Sequence, residues 1–115
     1  MAVITGAPTV TIASGQSLSS SVQLNGGFVE GFYMPAGWDA AVVSFLVSET
    51  NASYVPLIDA LGVEMQITVA ASRAIQLPLG SLHGWNWLQL RSGTSGAAVN
   101  QTANRTLTLI TRPYR

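Results

Sequence analysis

Apolar side chains recur at every second residue along almost the whole chain. Val10 and Ile12 alternate with Thr9 and Thr11. Leu18, Val22 and Leu24 share one parity, with Ser19, Ser21 and Gln23 on the other. Phe28, Phe32 and Met34 alternate with Val29, Gly31 and Tyr33, and Val63, Met65, Ile67 and Val69 with Glu64, Gln66 and Thr68. Trp85–Arg91 and Arg105–Arg112 repeat the pattern. A period of two places one set of side chains on each face of a strand, so each run reads as a strand buried on one side. No segment carries the 3.6-residue stripe that a helix needs to bury a face. The apolar run Ala40–Val47 reads instead as a central strand covered on both faces.

Turn chemistry divides these runs. Ser14-Gly15-Gln16, Asn25-Gly26-Gly27, Pro35-Ala36-Gly37, Glu49-Thr50-Asn51, Leu61-Gly62, Pro78-Leu79-Gly80 and Ser92 through Gly96 fall between them. The pattern predicts strands over 9–14, 18–24, 27–34, 40–48, 53–57, 63–70, 85–91 and 104–112, with a short extra one at 74–77. Leu57–Leu61 has room for one helical turn ended by Gly62. The expected fold is all-β, one domain over 1–115: an antiparallel two-sheet sandwich of about eight strands, jelly-roll-like. A five- or six-stranded barrel is the alternative. The predicted inward set is Val10, Ile12, Val22, Leu24, Phe45, Val47, Val63, Met65, Ile67, Leu88, Leu90, Leu107 and Leu109.

Composition narrows the function. Five Arg balance five carboxylates, and Lys and Cys are absent. Without a basic excess there is no electrostatic footprint for nucleic acid. Without Cys there is neither a disulfide framework nor a thiolate metal site. Only 9% of residues are charged, against ~25% in ordinary domains. The polar surface is therefore hydroxyl and amide, and weak mutual repulsion favours association between copies. The N-terminal Met1-Ala-Val-Ile-Thr lacks the basic and apolar regions of a secretory signal, and Ala40–Val47 is far short of a ~20-residue membrane span. The expectation is a chain made in the cytoplasm that does not enter a membrane.

The inventory offers no catalytic, cofactor-binding or metal-binding constellation. His83 is the only histidine, and Glu30, Asp39, Glu49, Asp59 and Glu64 are scattered singly. A metal site needs several convergent ligands. Neither a Gly-x-Ser-x-Gly elbow nor a phosphate-cradling loop occurs, and Gly93-Thr-Ser-Gly96 runs on into Ala-Ala rather than Lys. The chain is expected not to be an enzyme and to need no cofactor.

Candidate contact residues lie in the last third. Trp85 and Trp87 share a strand parity opposite Leu88 and Leu90. If those leucines face the core, the tryptophans either pack internally, anchor a neighbouring subunit or form a stacking platform for a glycan. Arg91 shares their parity, and Arg112, Tyr114 and Arg115 are expected to form a contact arm, with Pro113 stopping the last strand. All carboxylates lie in the first two-thirds, whereas four of the five Arg lie in the last quarter. That segregation serves salt bridges within the fold or head-to-tail pairing of subunits, or is no more than an ordinary charged surface.

Two resemblances rest on particular segments. Val42 through Leu57 and Trp87-Leu-Gln-Leu-Arg-Ser-Gly93 are similar to segments of discoidin-like jelly rolls, with Asn51-Ala52 where those folds often carry Asp-Gly. Ser14-Gly-Gln-Ser-Leu-Ser, Met34 through Ala41, Ser48 through Leu57, and Leu90-Arg-Ser-Gly-Thr94 followed by Gln101 through Leu109 resemble small head-associated proteins of tailed bacteriophages. The second resemblance implies a structural virion protein, of the capsid-decoration or head-fibre and spike-base type. Its expected partners are copies of itself and other capsid proteins. A carbohydrate-binding jelly-roll module used for adhesion is the alternative.

Overall fold

The computed structural model describes residues 7–112. Among them none forms a helix, and ten strands build two antiparallel sheets. The strands are β1 (Thr9–Ile12), β2 (Val22–Gln23), β3 (Phe28–Tyr33), β4 (Val43–Ser48), β5 (Val55–Pro56), β6 (Gln66–Ile67), β7 (Ala74–Gln76), β8 (Trp87–Thr94), β9 (Ala97–Ala98) and β10 (Arg105–Arg112). One sheet has the order β1-β10-β3-β7. The other has the order β2-β8-β4-β5, with β6 also on β4 and β9 on the end of β8.

β5 and β6 pair with successive stretches of the same side of β4. Counted as one interrupted strand, and with the short β9 arm set aside, they leave eight strands distributed between the sheets in jelly-roll connectivity. The predicted strands thus appear close to their expected places. The predicted helical turn over Leu57–Leu61 does not form, and β9 carries no alternation that would have announced it.

The core lies between the sheets. Phe45 faces Leu90 and Val47 faces Leu88 across the β4–β8 ladder, while Val10 faces Leu107 across β1–β10. All six are buried in one apolar cluster. β4 is buried over its full length. Its inward face carries Val43, Phe45 and Val47, and the other face is Ser44, Leu46 and Ser48. The serines belong there because each hydroxyl is bonded: Ser44 Oγ donates to the Gly93 carbonyl at 2.6 Å, and Ser48 Oγ accepts from Thr50 N and Asn51 N.

A bulge changes the parity of β3. Its register against β10 shifts between Ile110 and Thr111, so Gly31 faces Ile110, Val29 faces Thr111, and Glu30 is skipped. Val29 and Phe32 then both point inward although they are three residues apart. Strict alternation over Phe28–Met34 cannot reveal this. Gly31 also permits close approach, since a Cβ there would lie 2.3 Å from the Ile75 carbonyl oxygen.

One end of the sandwich is fastened by a polar network around Gln101, which is fully buried. Its Nε2 donates to the Asp39 carbonyl and to Ser92 Oγ, and its Oε1 accepts from Asp39 N and Arg105 Nε. Asp39 accepts from Thr102 N at 2.6 Å and lies 3.5 Å from Arg105 Nη2. The Thr102 amide, then its hydroxyl, hold the Asp39 carboxyl below its ordinary range against the opposing effect of burial, and Arg105 adds to the lowering. Trp38 packs against the core beside this network, with Nε1 donating to the Ala41 carbonyl.

Candidate functional site

The strand formed by β5 and β6 is interrupted in an unusual way. Leu57 N donates to the Phe45 carbonyl, and the next partner along β4 is Gln66, opposite Ser44. Residues 58–65 are therefore expelled from the strand as a loop. The loop is pinched at its base by Met65 N donating to the Leu57 carbonyl at 2.9 Å.

Local sequence explains the shape of the excursion. Asp59 Oδ1 accepts from Leu61 N at 2.8 Å and Val63 N at 3.0 Å, and Gly62 N closes a turn on the Asp59 carbonyl. An Asp opening the turn and a Gly at positive φ (82°) closing it are the residues such a turn requires. A second brace fixes the loop to the sheet. Glu64 pairs with Arg91 Nη2 on β8 and also accepts from Ser95 N. The loop is thus held in shape by its own backbone and by an ion pair.

Its side chains point the wrong way for a core. Leu61 is 89% exposed and Val63 56%, with Ile58 about half exposed. Across from them Leu79, at the tip of the Pro78–Ser81 turn, is 94% exposed. Val55 on β5 is also exposed. These five residues are among seven exposed large apolar side chains in the described residues; Leu18 and Tyr33 are the others. Between the excursion and the 78–81 turn lies a cleft of about 520 Å³, floored by Leu57, Met65 and Ile67. It opens where the β5–β6 edge of one sheet and the β7 edge of the other fail to close the sandwich. The opposite side is sealed by the segment running from β1 to β2, where Ser20 N donates to the Thr11 carbonyl and Ser19 N to the Leu90 carbonyl.

The structure separates the contact residues expected from the sequence. Trp85 precedes β8 and packs against the core cluster, whereas Trp87 opens β8, half-buried, between Gln23 and Ser48. Arg91 lies on the same outer face as Trp87 but is committed to Glu64 and to Ser44 Oγ. Arg112 is exposed at the end of β10, on the other sheet, where its Nη1 donates to the Thr111 carbonyl. Tyr114 and Arg115 lie outside the described residues.

Part of the charge segregation resolves into pairs within the fold, Arg91 with Glu64 and Arg105 with Asp39, while His83 Nε2 lies 3.4 Å from Glu30 Oε1. His83 also stacks on Phe28 with ring centroids 3.8 Å apart. Among the described residues, no three metal-ligating side chains converge.

The apolar excursion was not anticipated. Val63, assigned to the inward set, is exposed because it belongs to the loop rather than to the strand that follows. The available signal was Asp59-Ala-Leu-Gly62, a turn sequence flanked on both sides by apolar residues. The fold is a β-sandwich of jelly-roll connectivity. Comparison with protein-family models, curated proteins and solved structures finds no match for the chain.

Proposed function

We propose that the chain is a non-enzymatic structural subunit, of the virion type that its sequence resembles, and that it works by association with copies of itself and with a capsid surface. The observation that carries this reading is the concentration of exposed large apolar side chains on one edge, presented by a loop held rigid by Asp59 and by the Arg91–Glu64 pair. Contiguous exposed apolar surface marks interaction sites in soluble proteins. Rigid presentation reduces the entropy lost on binding. Jelly rolls serve capsid and lectin functions alike, so the fold alone does not choose between them. The choice rests on the site, where the apolar edge favours a protein partner.

Density-gradient centrifugation of assembled capsids with added purified chain tests the proposal. The chain is expected to travel with the particles at a fixed stoichiometry. Recovery only at the top of the gradient, at every ratio tried, would refute the virion assignment.

A further inference from the structure

We infer that the lateral cleft is the seat of a second copy of this chain, joined in a two-fold contact in which the Leu61 loop of each copy fills the cleft of the other. The inference rests on the assembly reading above and specifies its contact surface.

Three observations select a second copy as the occupant. The first is shape. A protruding, braced loop and the concavity beside it belong to the same surface, because the excursion carrying Leu61 is itself one wall of the cleft. An isologous contact requires a surface complementary to itself, with residue i meeting j and j meeting i. A leucine-bearing turn fits readily in about 520 Å³. The second is area. Val55, Ile58, Leu61, Val63 and Leu79 together expose several hundred Å² of mainly apolar surface. That is a large part of the roughly 800 Å² that each partner contributes to a standard interface.

The third is charge. The ionisable side chains lining the cleft are Asp59 and Glu64, with no cation among them. Asp59 accepts from its own turn, and Glu64 is neutralised by Arg91. An anionic lipid surface or an acidic partner therefore finds nothing to attract it. Two copies of a chain with zero formal net charge meet without long-range repulsion.

In this arrangement Leu61 of one copy comes to rest beside Leu79 of the other. The natural chain has no Cys, so single introduced thiols report on that geometry without background. The test mixes Leu61→Cys chains with Leu79→Cys chains under mild oxidation. Thr106→Cys, on the outer face of the other sheet, is the control. Disulfides form only when Cα atoms approach within ~7 Å. A disulfide-linked pair between the Leu61 and Leu79 variants, well above either variant mixed with the control, is expected.

Sedimentation equilibrium of wild type and Leu61→Ser completes the test. Leu61 is exposed, so the serine variant should keep the wild-type melting temperature while its dimer dissociates at least tenfold more readily. Cross-linking no better than the control overturns the inference. So does a wild-type dimer undiminished in Leu61→Ser, although self-association through another face then leaves the assembly reading standing. A wild-type chain that is monomeric throughout yet travels with capsids also overturns the two-fold contact alone. A monomer that never joins particles overturns both.

Discussion

Replacing Glu64 by Ala probes whether the apolar loop is built to be rigid. In the native fold the Arg91 and Glu64 side chains are only 11% and 19% exposed, so solvent screens their pairing weakly. Exposed ion pairs contribute ~0–1 kcal/mol, but this one lies outside that regime. The substitution removes one charge-assisted bond, worth about 1.5–3 kcal/mol, and the acceptor of Ser95 N, worth about 1 kcal/mol. It also leaves a largely buried guanidinium whose remaining partner here is Ser44 Oγ. Breaking a fully buried pair costs about 3–5 kcal/mol, and the residual access of Arg91 to water keeps this case below the top of that range.

The expected loss for Glu64→Ala is about 2–4 kcal/mol. For a chain of this size, ~4 °C per kcal/mol turns that into a melting temperature lowered by roughly 8–16 °C. Urea unfolding followed by circular dichroism supplies the free energies, and a double-mutant cycle with Arg91→Ala isolates the pair. Once Glu64 is gone, removing Arg91 should cost little more, giving a coupling energy above ~1 kcal/mol. A loss under ~0.5 kcal/mol, or additive single effects, would refute the claim that the pair braces the loop.

Other consequences concern the framework. Gln101→Ala removes a fully buried side chain and its four hydrogen bonds and is expected to cost about 2–4 kcal/mol in denaturant unfolding; an unchanged midpoint would show that the network is not structural. Gly93→Ala should destabilise by about 2 kcal/mol or more, because Gly93 has φ of 90° and an added Cβ would lie 2.4 Å from the Ala97 carbonyl oxygen. A thermal melt equal to wild type would contradict that reading. The Asp39 carboxyl is held below its ordinary range by the Thr102 amide and hydroxyl, so its ionised form favours the folded state. That contribution is present above the ordinary carboxylate range and is lost as pH falls through the lowered value. Stability measured against pH should decline less steeply in acid for Asp39→Asn than for wild type, and parallel profiles would argue against the assignment.

Much of the fold was legible in alternation because a half-buried strand writes its two faces directly into the sequence. β4 was legible for the opposite reason: its apolar run announced burial on both sides. The elements that escaped are those in which backbone geometry breaks the period. The bulge at Glu30 lets Val29 and Phe32 share the core, and the excursion after Leu57 carries Val63 out of it. Apolar residues in a protruding loop look identical, in sequence, to apolar residues in a strand. Exposure alone distinguishes them, and exposure depends on which strand edge lies alongside.

Trp85 and Trp87 show the same limit. Their shared parity holds only within a strand, and Trp85 lies before β8 begins, where the chain turns it into the core. Arg91 reads in the sequence as a candidate interface or glycan contact; in the fold it pairs with Glu64, on the loop that forms the candidate site.

The central claim, that the apolar edge exists to be covered by protein, is tested most directly by the mass of the purified chain in light scattering as concentration rises. Wild type is expected to pass from the monomer mass toward twice that value, with little effect of added salt, while Leu61→Ser remains monomeric and equally stable. A wild-type mass that stays at the monomer value, or a mass increase identical in the serine variant, would contradict the covering of that edge by a second copy.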